Sequence, residues 1–359
     1  PEPEAPTIRP TLKGAKKFIF LEYFIIEPGL MWNTILAILR EKAAAGVDVR
    51  LIYDDVGCIF TLPYGYHKTL EAMGIQCCVF NPFVPILRSR LNNRDHRKIA
   101  VIDGHTGFTG GINLADEYIN VKRKYGHWKD TALMIQGPAV YTLTTMFLAL
   151  WSYLQGTSED YGQYRDESFR KPASSDHHGI VQPFTDNPLD DEPVGETVYL
   201  NLISRAQKNI YITTPYLILD AEMMTALCNA AKSGIDVRII TPGIPDKWYV
   251  FAVTRANYRV LLESGVKIFE YSPGFMHGKD FVVDGTYAVV GTINLDYRSL
   301  YLHFECGVWL YQAPCIRDIS HNFEATLERC RPITLSQMAS VSLPRRIGRS
   351  ILGLFAPLM

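Results

Sequence analysis

The chain contains the same motif twice. Residues 96–104 read HRKIAVIDG and residues 277–285 read HGKDFVVDG. At a constant offset of 181 residues, nine identities connect the stretch from His96 to Leu114 with the stretch from His277 to Leu295. Upstream, the related blocks AGVDVR and SGIDVR stand in the same order. Such a repeat predicts a duplicated architecture, because each copy is expected to form the same supersecondary unit.

Each copy carries the pattern of a strand, a helix and a second strand. In the first copy, 18–26 is a continuous apolar run, a helical periodicity follows, and 47–53 alternates between apolar and polar residues. In the second copy, 210–213 and 235–240 are the corresponding strands on either side of a helical pattern. Two βαβ-rich halves are therefore expected.

Composition limits the class of protein. A chain of 359 residues with 47% hydrophobic content can bury one large core or two domains. Its net charge of -1 excludes a global field that draws the protein onto nucleic acid, although a local basic patch stays open. Its seven cysteines, odd in number and without a CxxC pair, predict reduced thiols that face the cytosol.

The repeated residues have the properties that phosphoryl transfer without a metal requires. An imidazole can attack phosphorus and leave again, and a second imidazole can protonate the departing oxygen. A lysine two residues after each histidine lies on the same strand face, beside the phosphate oxygens. A single His-x-Lys is usually structural, but two copies with matching Asn113 and Asn294 favour catalysis.

Both copies match the HxKxxxxD signature of the phospholipase D superfamily, which the chain resembles over about residues 15 to 335. The resemblance implies an α/β fold with two duplicated α/β/α sandwich halves, pseudo-twofold symmetry, mixed central sheets and one active site where both motifs meet. It also implies that His96 is the nucleophile and His277 the general acid, with the reverse assignment left open. The implied phosphate-binding residues are Lys98, Lys279, Asn113 and Asn294.

Four carboxylates complete the predicted site. The motif aspartates Asp103 and Asp284 fall on the opposite strand face from the lysines, which predicts a structural role in the following turn. In the superfamily, a carboxylate that opens a later strand fixes each catalytic imidazole. Asp130 and Glu305 occupy equivalent places before apolar runs, so Asp130 is expected to orient His96 and Glu305 to orient His277.

The residues around both motifs are similar to those of bacterial cardiolipin synthases. The blocks NRDHRK, GFTGGINLADEY and GTINLDYRSL carry this similarity. It implies condensation of two phosphatidylglycerol molecules into cardiolipin and glycerol through a phosphohistidine, with no cofactor and no metal. The implied partners are phosphatidylglycerol and an anionic membrane surface, and no nucleic acid. A hydrolytic phospholipase D and a nuclease of the same superfamily are the alternatives.

The predicted boundaries follow the repeat and the composition. We expect an N-terminal remnant at 1–14, a first half at 15–155, a linker at 156–196, a second half at 197–335 and an amphipathic tail at 336–359. The linker is rich in Ser, Asp, Gly and Pro and lacks a sustained period.

Two segments are candidates for membrane contact. In the tail, the apolar residues Ile347, Ile351, Leu354 and Phe355 recur at helical spacing apart from the arginines, which is typical of an interfacial helix or of a helix docked on the core. Trp248 begins an aromatic stretch that either contacts lipid or packs in the core.

The expected location is the bacterial inner membrane, with the catalytic body on the cytoplasmic side. No apolar run reaches the ~18 residues of a membrane span. The sequence begins at Pro1 without an initiator methionine, and family members commonly carry spans before the first half. We therefore expect a trimmed fragment of an anchored protein.

Overall fold

The chain divides by its contacts into two compact units. The computed structural model describes residues 8–83, 92–170, 179–339 and 352. The first unit comprises Pro1–Lys122 and Ala132–His177, and the second unit comprises Arg123–Thr131 and His178–Met359. The short stretch Arg123–Thr131 thus belongs to the second unit, although the residues on either side of it belong to the first.

The first unit has a six-stranded mixed sheet in the order β3-β2-β1-β5-β6-β8. Its strands β1, β2 and β3 are parallel, and β5, β6 and β8 continue the sheet in antiparallel fashion. The strands up to residue 136, of which β7 lies in the second unit, are β1 (Phe18–Tyr23), β2 (Asp48–Asp54), β3 (Gln76–Phe80), β4 (Arg94–Asp95), β5 (Ile99–Ile102), β6 (Thr106–Gly110), β7 (His127–Lys129) and β8 (Ala132–Gln136).

Helices cover both faces of this sheet. Successive side chains of β1 point to opposite faces and therefore pack into two apolar layers. Ile19 and Leu21 belong to one cluster with Trp32, and Phe20 stacks on Phe147 from the other side at 4.7 Å between ring centroids. The helices are α1 (Ile8–Gly14), α2 (Leu30–Ala44), α3 (Asp55–Cys58), α4 (Tyr66–Glu71) and α5 (Val140–Gln155), followed by 3₁₀ turns at Tyr161–Tyr164 and Glu167–Arg170.

The second unit repeats this topology. Its strands β10, β11 and β12 are parallel, and β14, β15 and β16 follow in antiparallel order. Two further strands extend the sheet, since β17 pairs with β12 and β9 with β16. The strands are β9 (Ile180–Asp186), β10 (Asn209–Thr213), β11 (Asp236–Pro242), β12 (Lys267–Tyr271), β13 (Gly274–Met276), β14 (Asp280–Val283), β15 (Tyr287–Gly291), β16 (His303–Tyr311) and β17 (Cys330–Pro332).

The second sheet also has helices on both faces. Ile210 and Ile212 of β10 face the main cluster, whereas Tyr211 stacks on Phe323 at 4.7 Å. Across the described part of the chain, none of the helices combines the length and apolar character needed to cross a bilayer. The helices of this unit are α6 (Val194–Arg205), α7 (Ala221–Lys232), α8 (Trp248–Glu263), α9 (Tyr297–Tyr301), α10 (Cys315–Leu327) and α11 (Leu335–Ala339).

Part of the segment expected as a linker is regular structure. Ile180–Asp186 forms β9, which pairs antiparallel with β16 along its whole length. Its first three residues are exposed and Pro183 lies within it, so its sequence lacks the alternation of a half-buried strand. Proline is tolerated here because β9 pairs with one neighbour in this sheet.

The motif aspartates each tie the turn after the motif to the start of one strand of their own unit, β1 in the first and β10 in the second. Asp103 accepts hydrogen bonds from the backbone N–H groups of Lys16, Lys17 and Phe18, at 2.8 to 3.0 Å. Asp284 accepts the corresponding three bonds from residues 207–209. Both aspartates have φ of 55° and precede a glycine of positive φ. This left-handed pair closes a tight hairpin turn, and it aims the carboxylate at β1 or β10.

Replacing Asp103 with alanine is expected to lower the free energy of unfolding by roughly 3 kcal/mol, because three backbone donors lose a charged acceptor and alanine is strained at positive φ. Asp103→Asn, which keeps one acceptor and tolerates this backbone, should lose less. Urea unfolding measures both, with Asp191→Ala, at an exposed carboxylate, as the control. Equal midpoints for Asp103→Ala and the control would contradict this role.

Candidate functional site

The first motif places two basic side chains in a buried setting just before β5. His96 is 8% exposed and Lys98 is 1% exposed. The ring of Phe24, which follows β1, packs edge-on against His96 at 5.1 Å and lies 5.5 Å from the Lys98 ammonium. Lys98 Nζ also donates to the carbonyl oxygen of His96 at 2.5 Å. The Phe24 ring shields the imidazole of His96, and the hydrogen bond to the His96 carbonyl oxygen holds the Lys98 ammonium beside it.

Asn113 is a buried residue of the first unit that is hydrogen-bonded to two other segments of the chain. Its Oδ1 accepts from the backbone N–H of Ile25 at 3.0 Å, and its Nδ2 donates to the hydroxyl of Tyr118 at 2.7 Å. These bonds fix the segment after β1, which carries Phe24. A role of Asn113 in phosphate binding stays a prediction.

A network of buried ion pairs surrounds His96, and none of these pairs was predicted from the sequence. Arg94 pairs with Asp54 at 2.9 Å, and Arg97 pairs with Glu22 at 2.7 Å and with Asp95 at 3.0 Å. All five side chains are buried. The network holds the backbone on both sides of His96. In the sequence, the alternating charges of the RDHR block were the feature that could have indicated these ion pairs.

Burial dominates the electrostatics of this network. It raises the pKa of Asp54 to about 6, although the Arg94 charge and backbone N–H groups act in the opposite direction. It raises the pKa of Glu22 well above its ordinary value despite the charge of Arg97. Buried carboxylates of this kind require the paired arginines, since an unpaired charge in an apolar interior is costly.

The second motif brings three ionisable groups together within the second unit. His277 Nδ1 lies 2.6 Å from Asp130 Oδ2 and 2.9 Å from Lys279 Nζ. Lys279 also donates to the carbonyl oxygen of His277. An Nδ1–H that donates to Asp130 leaves the other ring nitrogen, Nε2, with its lone pair or proton for a substrate. Lysine and histidine therefore lie on one side, as the strand alternation predicted.

The partner of His277 differs from the expected one. Asp130, which we expected beside His96, is hydrogen-bonded to His277, and the predicted pairing is wrong on this point. The reason is that β7, just before Asp130, pairs parallel with β13, just before His277. Glycine is required at 274, because a Cβ there would lie 2.3 Å from the carbonyl oxygen of His127. Sequence position alone placed Asp130 with the first half.

Glu305 lies fully buried on β16. It accepts a hydrogen bond from the hydroxyl of Thr292, whose oxygen lies 3.1 Å from the carbonyl oxygen of Cys306. His303 Nδ1 is 3.7 Å from Glu305 Oε1. Nearby in the chain, Asn294 is buried, and within the described residues its Oδ1 has no hydrogen-bond partner. The catalytic role predicted for Glu305 and the phosphate contact predicted for Asn294 stay predictions.

Charge coupling sets the protonation states in the second motif. Burial opposes ionisation of Asp130, but the charges of His277 and Lys279 outweigh it and lower the pKa of Asp130. Burial lowers the pKa of Lys279 from 10.5 to about 8, although Asp130 and Glu305 pull it upward. At neutral pH these two pKa values favour a carboxylate at Asp130 and an ammonium at Lys279, both beside the His277 ring nitrogen Nδ1. Such a set suits the binding and protonation of a phosphate ester.

A second buried acid stands directly after Lys279. Asp280 Oδ2 accepts from the hydroxyls of Thr131 and Thr213 at 2.8 and 3.0 Å. Burial raises the pKa of Asp280 to about 6. These bonds anchor Thr131, and with it the neighbouring Asp130, to the second unit. No sequence pattern had pointed to Asp280.

The remaining candidates are placed as follows. Trp248 is 73% exposed at the start of α8, so it does not pack in the core, while Val250 of the same stretch does. The tail residues Ile347, Ile351, Leu354 and Phe355 lie outside the described residues. All seven cysteines are free thiols.

An acidic cluster in the second unit could hold a cation. Glu196, Asp220 and Glu222 have ligand atoms within 4.8 Å of one another. The hydroxyl of Tyr301 bonds to Glu196 at 2.9 Å and to Asp220 at 2.6 Å. Burial, with help from Asp220, raises the pKa of Glu196 to about 7. None of these residues belongs to the two repeated motifs.

Two α/β units of the same topology, each with a buried His-x-Lys motif, define a duplicated phospholipase D-like protein. The chain belongs to the family described as "Cardiolipin synthase, PLD-like domain", which matches residues 8–151 and 199–327. Both the fold class and the family expected from the sequence are thereby confirmed.

Known proteins resemble this chain over nearly its whole length. An uncharacterized protein of Streptococcus mutans is 49% identical over 97% of this chain and 75% of its own. Cardiolipin synthase 2 of Bacillus cereus is 39% identical over 97% of this chain and 67% of its own. The crystal structure of phosphatidylserine synthase from Haemophilus influenzae matches with a TM-score of 0.74 over 98% of this chain and 92% of its own, at 16% identity. The last likeness shows the fold alone.

Lys279→Met is expected to abolish a pH dependence of stability. The pKa of Lys279 is about 8 in the folded protein, against an ordinary value of 10.5, so the cost of burying its charge is fully present below pH 8. That cost is relieved as the pH rises from 8 to 10.5. The wild type should therefore gain about 3 kcal/mol over Lys279→Met across this window.

Urea unfolding at half-unit pH steps measures this difference, and Lys17→Met, at an exposed lysine, controls for loss of a lysine as such. A constant difference between the wild type and Lys279→Met from pH 7 to 10.5 would contradict the lowered pKa.

Proposed function

We propose that the protein is a cardiolipin synthase, which transfers a phosphatidyl group between two phosphatidylglycerol molecules and yields cardiolipin and glycerol. The observation that carries the proposal is the pair of intact His-x-Lys motifs in a chain that aligns over 97% of its length with proteins named cardiolipin synthase. The buried dyad of Asp130 and His277 supports acid–base chemistry at a phosphodiester.

The proposed reaction has two displacements on one phosphodiester. In the first, a ring nitrogen of His96 attacks phosphorus, the bond from phosphorus to the glycerol oxygen breaks, and His277 gives that oxygen a proton. In the second, the glycerol hydroxyl of another phosphatidylglycerol attacks the phosphohistidine, His277 takes its proton, and the P–N bond breaks. Both histidines return to their starting states, so no oxidant or cofactor is consumed.

The surroundings of the two histidines support this division of roles. An ionised Asp130 stabilises the imidazolium form of His277, which is the form a general acid needs. His96 lies against the ring of Phe24, whose apolar face shields a nucleophilic nitrogen from water. Lys98 and Lys279 would stabilise charge on the phosphate oxygens, and Asn113 and Asn294 are proposed as neutral donors.

The proposed setting is an anionic bilayer, namely the cytoplasmic face of a bacterial inner membrane. Transfer exceeds hydrolysis only if a second lipid reaches the phosphohistidine while water is restricted. The exposed indole of Trp248 is proposed as a bilayer contact, since tryptophan favours the interface between lipid and water. Free thiols at all seven cysteines agree with a reducing compartment.

Purified protein with phosphatidylglycerol vesicles and a metal chelator is expected to produce cardiolipin and glycerol in equal amounts, identified by mass spectrometry. His96→Ala should lower the rate by at least about 10³-fold, because the nucleophile is lost. His105→Ala, which removes a half-exposed histidine paired with Asp166, is the matched control and should keep wild-type activity. Phosphatidic acid as the product in the presence of excess glycerol would indicate a hydrolase, and cleavage of DNA a nuclease.

A covalent intermediate is expected on His96. With the general acid removed in His277→Gln, a phosphatidylglycerol analogue whose leaving group needs no protonation should transfer its phosphatidyl group to the protein. The adduct should accumulate because its turnover also needs His277. Acid-labile phosphatidyl on the peptide that contains His96 is the expected mass-spectrometric result. An adduct on His277 in His96→Gln, with none on His96 in His277→Gln, would reverse the two roles.

A further inference from the structure

The dyad of Asp130 and His277 has an additional partner in Trp128. The indole Nε1–H of Trp128 donates to Asp130 Oδ2 at 3.2 Å, and the same oxygen lies 2.6 Å from His277 Nδ1. The other carboxylate oxygen, Oδ1, accepts from the backbone N–H of Thr131 at 2.9 Å. Asp130 thus faces three donors, and an indole N–H acts only as a donor.

Trp128 also forms part of the wall around the imidazole. Its ring centroid lies 4.9 Å from that of His277 and 4.8 Å from that of Phe275, and Phe275 lies 5.8 Å from His277. Trp128 is 8% exposed and Phe275 is 1% exposed. The two rings leave the imidazole little freedom to tilt away from Asp130, and they keep water from the short contact.

The backbone holds this set in register. Trp128 is the register partner of Phe275 in the parallel pair of β7 and β13. Directly after that pair, the backbone N–H of His277 donates to the carbonyl oxygen of Lys129 at 2.7 Å. Trp128, Asp130 and His277 therefore move as one unit, and a change at the indole is transmitted to the imidazole through the carboxylate.

We propose that Trp128 is a positioning residue for the general acid: its indole N–H fixes the rotamer of Asp130, and its ring fixes the plane of His277. This role rests on the proposed function, in which His277 protonates the leaving oxygen. Trp128 itself touches no reacting atom. When the pair of β6 with β8 is aligned with the pair of β15 with β16, its equivalent in the second repeat is His303, which has no indole N–H.

The test is Trp128→Phe, which keeps a ring and removes the N–H. We expect kcat on phosphatidylglycerol vesicles to fall about tenfold with KM within about twofold, because the bond acts on the acid and not on substrate binding. Trp32→Phe is the matched control, since Trp32 is a fully buried tryptophan of the first unit whose Nε1 donates to the hydroxyl of Tyr66 at 2.8 Å. It should lower stability to a similar extent and leave kcat unchanged.

A double-mutant cycle separates positioning from general packing. If Trp128 acts through Asp130, Trp128→Phe should lower kcat less than about twofold in an Asp130→Asn background. An equal loss in both backgrounds, or no loss in the wild-type background, would overturn the proposal.

A second readout does not depend on catalysis. The 2.6 Å contact should give His277 Nδ1–H a strongly downfield proton resonance, identified by its absence in His277→Gln. Trp128→Phe should change its chemical shift and Trp32→Phe should not. A chain that forms no cardiolipin but shows this change would refute the proposed reaction and keep the positioning role, whereas an unchanged resonance would refute the positioning role.

Discussion

The burial of an ammonium group beside an imidazole is the constraint that shapes this protein. A lysine that is 2% exposed loses most of its hydration, and the fall in the pKa of Lys279 to about 8 reflects that loss. The ammonium of Lys279 stays charged at neutral pH because Asp130, whose own pKa is lowered, lies against the neighbouring imidazole as a carboxylate. Asp130 in turn depends on Trp128, on Thr131 and on the pairing of β7 with β13.

The two units meet the same demand with different residues. Around the first motif, arginines on both sides of His96 form buried ion pairs with Asp54, Asp95 and Glu22. Around the second motif, the position after the histidine is a glycine, and the buried acid Asp280 is held by threonine hydroxyls. A duplicated fold has thus diverged in the shell that supports its histidines, which fits the proposal that one is a nucleophile and the other an acid.

The parts of the fold that obey local periodicity were predictable. The strands around 18–26 and 47–53 and the helix between them follow from apolar spacing, and the repeat predicted the second set. The strand β9 was missed because an edge strand with exposed residues and an internal proline carries no alternation. The network of Arg94, Arg97 and their acids was missed because two of these acids, Glu22 and Asp54, are distant in the chain.

By itself, the sequence determined that the protein is a duplication, that each copy carries a His-x-Lys motif, and that the family is that of the cardiolipin synthases. Those conclusions depend on residue identity and spacing, which one chain displays directly. Only the tertiary structure decided that Asp130 meets the imidazole of His277. Residues 123–131 lie within the first half in sequence but pack in the second unit, where β7 pairs with β13. This parallel pairing is a long-range contact that no local pattern encodes.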